Sequence, residues 1–150
     1  GKQGVVFEVS DDGRHGKIVS LDQTRLPWCT TKQYKKDIVV GASSTTDGKA
    51  NTDIVMSRSD SEVYPAFVWC RAKGRDWYLP AEDELKSISA AKEKINVTLE
   101  RLGKIIGDYD LYWSSTEENE FCAWLVNMRR GGTYYNSKND DYYVRAVSAF

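Results

Sequence analysis

A single histidine, His15, in 150 residues removes the side chain on which most acid–base catalysis and much metal ligation near neutral pH depend. It sits among Gly13, Arg14 and Gly16, a turn context, so no Ser-His-Asp or Cys-His constellation can be assembled around it. Cysteine is scarce too. Cys29, Cys70 and Cys122 form no C-x-x-C pair, and an odd number leaves at least one thiol without a partner. Zinc is therefore not expected, and no cofactor is. Cys29 and Cys70 each follow a tryptophan, which reads either as two small buried thiols packed beside aromatics or as one disulfide between them. Net charge is -1, from 21 basic and 22 acidic side chains, so the chain lacks the field that steers a polyanion, and nucleic acid is set aside as a partner. No apolar run approaches the roughly 18 residues of a membrane span. The sequence opens Gly1-Lys2-Gln3 with neither a methionine nor an apolar leader, so a trimmed N-terminus is expected and export is left open.

What is present suits one folded domain over 1–150. Hydrophobic residues at 41% and charged residues at 29% are ordinary for a globular chain, and the length fits a single core. Val5-Val6-Phe7-Glu8-Val9 and Lys17-Ile18-Val19-Ser20-Leu21 flank Ser10-Asp11-Asp12-Gly13, which predicts a β-hairpin. Leu26 to Asp53 carries no sustained period and reads as a long ordered loop. A helix follows from about Asn51, with Pro65 bending it or sitting in a first turn, and ends near Arg71 to Gly74. Trp77-Tyr78-Leu79 is a short extended piece. Pro80 and the acids Glu82, Asp83 and Glu84 then open a helix whose apolar face is Leu85, Ile88, Ala91 and Ile95. Beyond Gly103 and Gly107 strands dominate: Ala123 to Met128, a hairpin turn at Arg130-Gly131-Gly132-Thr133, and a closing strand over Tyr142 to Val147. Helices and strands are segregated, so the fold class is α+β.

The segment from Tyr112 to Phe150 is crowded with Tyr, Asn, Asp, Arg and Gly between apolar anchors. Tyr and Trp give wide amphipathic contact at small rotamer cost, and Asn, Ser and Gly give adaptable hydrogen bonding, the mixture found in paratopes. The other reading is a polar hairpin that keeps a sheet edge soluble. Trp113 and Trp77 are expected in the core. Arg145 reads as a surface residue or as the partner of a carboxylate such as Glu8.

Five ordered motifs carry a family resemblance: Trp69-Cys70-Arg71, Trp77-Tyr78-Leu79-Pro80-Ala81-Glu82-Asp83-Glu84-Leu85, Tyr112-Trp113-Ser114-Ser115-Thr116-Glu117, Ala123-Trp124 and Tyr143-Val144-Arg145-Ala146-Val147. Together they resemble a bacterial C-type-lectin-like family that includes the C-terminal domain of a collagen-like adhesin and, more distantly, formylglycine-generating enzymes. The resemblance is strong over about 60–150 and weak before it. It implies paired first and last strands, two helices packed on that sheet, and a small second antiparallel sheet carrying the ligand face. Val5 to Val9 and Val144 to Val147, the most β-branched runs, suit the terminal pairing.

The same region, 112–150, resembles the variable region of diversity-generating retroelement proteins, in which adenine-directed mutagenesis rewrites Asn-type codons on a constant lectin-like scaffold. An AAY codon randomised at its first two bases can yield Tyr, Asp, Ser, Gly, Arg, Phe, Cys, Leu or Thr, but not Trp, Lys, Glu, Met or Gln. Candidate variable positions are Asn119, Phe121, Cys122, Leu125, Asn127, Arg129, Arg130, Thr133, Tyr134, Tyr135, Asn136, Asn139, Asp140 and Tyr142. All but Cys122 are taken as ligand-contact residues. Trp113, Trp124 and Lys138 fall outside the codon set, as fixed residues would. Surface loops favour many of the same residues, so a plain polar loop stands beside the variable-region reading.

Departures from the wider lectin group narrow the chemistry. The sequence has no Glu-Pro-Asn or Trp-Asn-Asp run of the kind calcium-dependent sugar-binding lectins use, and Asn139-Asp140-Asp141 reads as a solvated turn, so no metal is expected. The formylglycine-generating branch uses paired C-terminal cysteines, and only Cys122 lies there. Glu82, Asp83 and Glu84 are explained by the helix dipole. The expectation is a non-catalytic, extracellular or cell-surface module. It would bind a protein or glycan on another cell or particle, and a homo-oligomer is allowed. The alternative is an assembly domain of a larger surface protein, with an enzyme third.

Overall fold

The computed structural model describes residues 2–150. It contains the strands β1 (Gly4–Val9), β2 (Gly16–Ser20), β3 (Thr24–Pro27), β4 (Trp77–Tyr78), β5 (Leu111–Glu117), β6 (Cys122–Asn127), β7 (Thr133–Ser137), β8 (Asp141–Val144) and β9 (Val147–Ala149). The helices are α1 (Thr31–Tyr34), α2 (Gly48–Met56), α3 (Pro65–Arg71), α4 (Glu82–Ala90) and α5 (Lys92–Arg101), with a 3₁₀ turn at Ser61–Val63. One sheet has the order β1-β2-β9-β4 and the other β3-β8-β5-β6-β7, antiparallel except where β5 runs parallel to β8. The fold is C-type-lectin-like α+β.

The hairpin β1–β2 closes as its residues predict: Gly13 takes φ 71°, and Ser10 Oγ donates to Asp12 Oδ1 at 2.6 Å. The first and last strands share a sheet, but β2 lies between them, and β9 pairs with β2 through Lys17–Ala149, Ile18–Ser148 and Val19–Val147. The closing run is not one strand. Val144 ends β8 in the second sheet, and the chain crosses at Arg145 and Ala146 to enter the first sheet at Val147. Arg145 secures that crossing. Its buried guanidinium donates to Ser20 O (2.8 Å), Leu21 O (3.2 Å) and Tyr112 Oη (3.2 Å), and not to Glu8.

The stretch expected as loop from Leu26 to Asp53 holds the end of β3, all of α1 and the first two thirds of α2. These elements are too short to show a period. Thr30 and Asp47 nevertheless cap α1 and α2, accepting from Gln33 N–H and Ala50 N–H. Pro65 occupies the first turn of α3, which ends at Arg71. The apolar face from Leu85 to Ile95 spans two helices, because the chain breaks at Ala91. Tertiary acceptors meet the opening N–H groups of α4: Glu82 N–H donates to Thr116 Oγ1 (3.1 Å) and Asp83 N–H to Thr45 O (2.8 Å).

The five-stranded sheet is buried on both faces at its centre. Trp113 and Leu125 join a cluster with Trp28, Tyr64, Phe67 and Leu79, while their chain neighbours Tyr112 and Val126 join Leu85, Ile88, Ile95 and Leu99 on the other face. Trp77 and Trp113 are core residues as expected. Cys29 and Cys70 are free buried thiols in the first cluster, which settles the disulfide alternative. Burial pushes the Cys29 thiol up to about 11, against the pull of Lys138, and pushes Cys70 up as well.

Candidate functional site

The predicted contact residues lie on the β6–β7 hairpin and the turns at its two ends. Strand alternation divides them. Leu125 pairs with Tyr134, Trp124 with Tyr135 and Val126 with Thr133, so Tyr134 and Asn136 emerge on one face of the edge strand and Thr133 and Tyr135 on the other. The expected single ligand face is therefore an edge with two sides. Tyr134 is 56% exposed and Tyr135 60% exposed. Tyr135 meets the half-buried Trp124 edge-on, with centroids 5.3 Å apart.

Leu125 is not a contact residue. It is 1% exposed and packs in the first core cluster, because the β6 position that faces that core must be apolar. Tyr142 is half-buried, stands edge-on to Trp113 at 5.2 Å and accepts a hydrogen bond from Asn136 Nδ2, so it shapes the surface more than it covers it.

About 17 Å separates the two ends of β7, five residues at strand rise. Exposed Arg129 and Arg130 occupy one end, in a turn completed by Gly131 at φ 71° and by Asn127 Oδ1, which accepts from Arg129 N–H at 2.8 Å. Arg129 also lies over Tyr109, 5.4 Å from the ring centroid. At the other end Asn119 Oδ1 accepts from Phe121 N–H and Cys122 N–H, both at 2.8 Å, so Asn119 builds its turn. Exposed Phe121 stands beside Tyr34 at 6.2 Å, and Asn139 Nδ2 donates to Thr31 Oγ1 at 3.4 Å; exposed Asp140 follows. Thr31 and Tyr34 of α1 thus join the site. Their segment carried no sequence signal that tied it to the C-terminal hairpin.

A buried ion pair supports this end. Lys138 Nζ is 2.7 Å from Glu117 Oε2, and both side chains are 3% exposed. Glu117 also accepts from Val40 N–H (2.8 Å) and Gly41 N–H (3.0 Å), and the Lys138 ammonium lies 4.8 Å from the Trp28 ring centroid. The pair ties β5, the 38–41 loop and the turn after β7 together. Its one trace in the sequence was that Lys138 falls outside the variable codon set.

A wider concavity lies elsewhere. An open groove of about 710 Å³ between Asp22, Lys73, Arg75, Asp76 and Trp77 contains none of the predicted residues, and its charges partly pair, Lys73 with Asp22 at 2.6 Å and Lys2 with Asp76 at 3.7 Å. Cys122 is half-buried, and burial raises the pKa of its thiol, with Glu118 adding to the rise.

The family model described as the Lcl C-terminal domain matches residues 17–148. The chain belongs to that family. All five motifs lie inside the matched range, which extends the relationship back across the N-terminal segment where the motif resemblance was weak. No curated protein matches the sequence. Among solved structures, a fimbrial protein from Bacteroides ovatus superposes with a TM-score of 0.70 at 18% identity, over 90% of this chain. The Lcl C-terminal domain described here spans 36% of that chain, so the likeness concerns the fold of one part of it. No helix among the described residues is long and apolar enough to cross a membrane.

Proposed function

We propose that this Lcl C-terminal domain is a non-catalytic, adhesin-like binding module of a bacterial surface protein, and that its contact surface is the β6–β7 hairpin with its flanking turns. The carrying observation is the pairing of opposites at that edge. Tyr134 and Tyr135 project from a strand whose neighbours, Trp113, Leu125 and the Glu117–Lys138 pair, are locked in the interior. Rigid aromatic anchors flanked by Arg129, Arg130, Asn136 and Asp140 suit a protein or glycan ligand on another cell or particle. The name of the fimbrial protein that shares the fold agrees with a surface role. Thiol chemistry of the formylglycine-generating kind has no support in a lone Cys122 with a raised pKa.

The hairpin is also proposed as a retroelement-diversified region. Of the codon-excluded residues in this segment, Trp113, Glu117, Met128 and Lys138 are buried, Glu120 and Trp124 are half-buried and Glu118 is exposed, while the candidate variable positions lie at least partly in solvent, Leu125 excepted. A reverse transcriptase gene beside a near-copy of the segment for 112–150, differing only at adenines, is the expected genomic sign. Its absence removes diversification and leaves binding intact as a separate proposal.

Binding is tested with arrayed glycans and immobilised bacterial and host surface proteins, comparing the wild type with a Tyr134→Ala, Tyr135→Ala variant. Ligands bound by the wild type should be lost in the variant with an unchanged melting temperature. Retained binding to every ligand refutes the assignment of the surface.

A further inference from the structure

A cleft of about 190 Å³ opens between α4 and the turn that joins β6 to β7, walled by Lys86, Ser89 and Ala90 on one side and by Arg129, Arg130 and Gly131 on the other. Its floor is tied at one atom. Met128 O accepts from Ser89 Oγ at 3.0 Å and from Lys92 Nζ at 3.1 Å, so the residue before Arg129 is fixed to the junction of α4 and α5. A Cβ at Gly131 would stand 3.7 Å from Lys86 Cγ, so the glycine keeps the cleft open. No acid lines it. Lys92 is paired with Asp108, and Arg129 lies over Tyr109. Lys86 meets Asp83 at 3.6 Å with both side chains nearly half exposed, and Arg130 has no carboxylate within ion-pair distance among the described residues.

The cleft sits on a defined face of the hairpin. Helix α4 packs against the sheet face that holds Val126, and Val126 pairs with Thr133, so Thr133 and Tyr135 project on the side of the cleft. Tyr135, edge-on to Trp124, stands about 7 Å along the strand from Thr133. The volume is below the roughly 300–1,000 Å³ of sites that enclose a small molecule, and it suits one anchoring side chain of a protein partner. Charge decides which side chain.

We propose that this cleft receives a glutamate or aspartate side chain of a protein ligand, with Arg130 and Lys86 as its cations and Tyr135 packing against neighbouring residues of that ligand. The Arg130 guanidinium offers a fork to both carboxylate oxygens, and the Lys86 ammonium adds a point charge. The ligand of the hairpin is thereby a protein with an exposed acidic residue, and Lys86, which lies outside the hairpin, is one of the residues that select it. This rests on the reading of the hairpin as a contact surface, but a small probe tests the cleft by itself.

Nitrogen-15 NMR titration of the 150-residue chain with N-acetylglutamate α-amide at constant ionic strength is that test. Saturable shifts at the backbone amides of Ser89, Ala90 and Arg129 to Thr133 are expected, with a Kd on the order of 1–30 mM. N-acetylglutamine amide, which lacks the charge, should give none. Lys86→Ala and Arg130→Ala should each weaken binding by about five-fold or more, while Arg75→Ala, in the wider groove, should leave it unchanged. No saturable shift by about 100 mM, shifts at Lys73 to Trp77 instead, or equal binding of the glutamine probe overturns the proposal. So does tighter binding of glucuronate, which assigns the cleft to an acidic sugar. The two readings fail separately. If the Tyr134→Ala, Tyr135→Ala variant keeps every ligand while the glutamate probe still binds here, the hairpin surface is refuted and the cleft stands; if that variant loses its ligands and the probe gives no shift, the cleft alone is refuted.

Discussion

Lys138→Met tests whether the ion pair beneath the hairpin is a structural requirement of the proposed contact surface. The substitution keeps side-chain volume and leaves the Trp28 ring covered, so its effect comes from the charge. It strands the Glu117 carboxylate, 3% exposed, with Val40 and Gly41 N–H as its only remaining donors. Removing one partner of a buried pair costs about 3–5 kcal/mol, which for a domain of this size lowers the melting temperature by about 6–20 °C. Adding Glu117→Gln removes the stranded charge and keeps one amide oxygen for the loop N–H groups. The double variant should therefore be more stable than Lys138→Met alone by about 1–3 kcal/mol, although it carries one more change. Urea unfolding followed by tryptophan fluorescence gives both values. If Lys138→Met costs less than about 1 kcal/mol, or if the double variant loses the sum of the two single costs, the pair is not the constraint described.

Leu125→Ala should destabilise the fold by about 2–5 kcal/mol in urea unfolding, as core truncations do, and a cost near zero would return Leu125 to the contact surface. Burial raises the Glu82 carboxyl above its ordinary value of 4.5, although Lys86 opposes the rise. The folded state then holds that proton more tightly than the unfolded chain, so stability falls as pH rises from about 4.5 through the folded pKa. Glu82→Gln should remove that decline and gain on the wild type between pH 4 and pH 7, measured as unfolding midpoints across the range; parallel pH profiles for the two proteins refute it. The Tyr134→Ala, Tyr135→Ala comparison on arrayed ligands completes the set, with binding and melting temperature as its separate readouts.

Local chemistry made several elements legible in advance. The Ser10–Gly13 turn, Pro65 and Pro80 beside helix starts, and the glycines after Arg130 all act within a few residues, so the β1–β2 hairpin, α3, α4 and the β6–β7 hairpin were readable. The segment from Leu26 to Asp53 was not, because β3, α1 and α2 are held by partners far along the chain. Arg25 pairs with Tyr143, and Asn51 Nδ2 donates to Ser115 Oγ at 3.0 Å. The site divided in the same way. Residue type alone marked Tyr134, Tyr135, Arg129 and Arg130 as contact groups, but Leu125 passed the same codon filter and is buried.

By itself the sequence determined the α+β class and the family, and it marked the stretch of chain proposed to carry the contact residues, because these depend on residue type and local spacing. Only the tertiary structure decided which sheet each half of the closing run joins, that Tyr134 and Tyr135 look out from opposite faces, and that Lys138 reaches Glu117 under the hairpin. Those outcomes follow from strand register and from charge satisfied across long sequence separations. Register is set by the whole sheet, and a buried charge is satisfied only when the chain has closed around it.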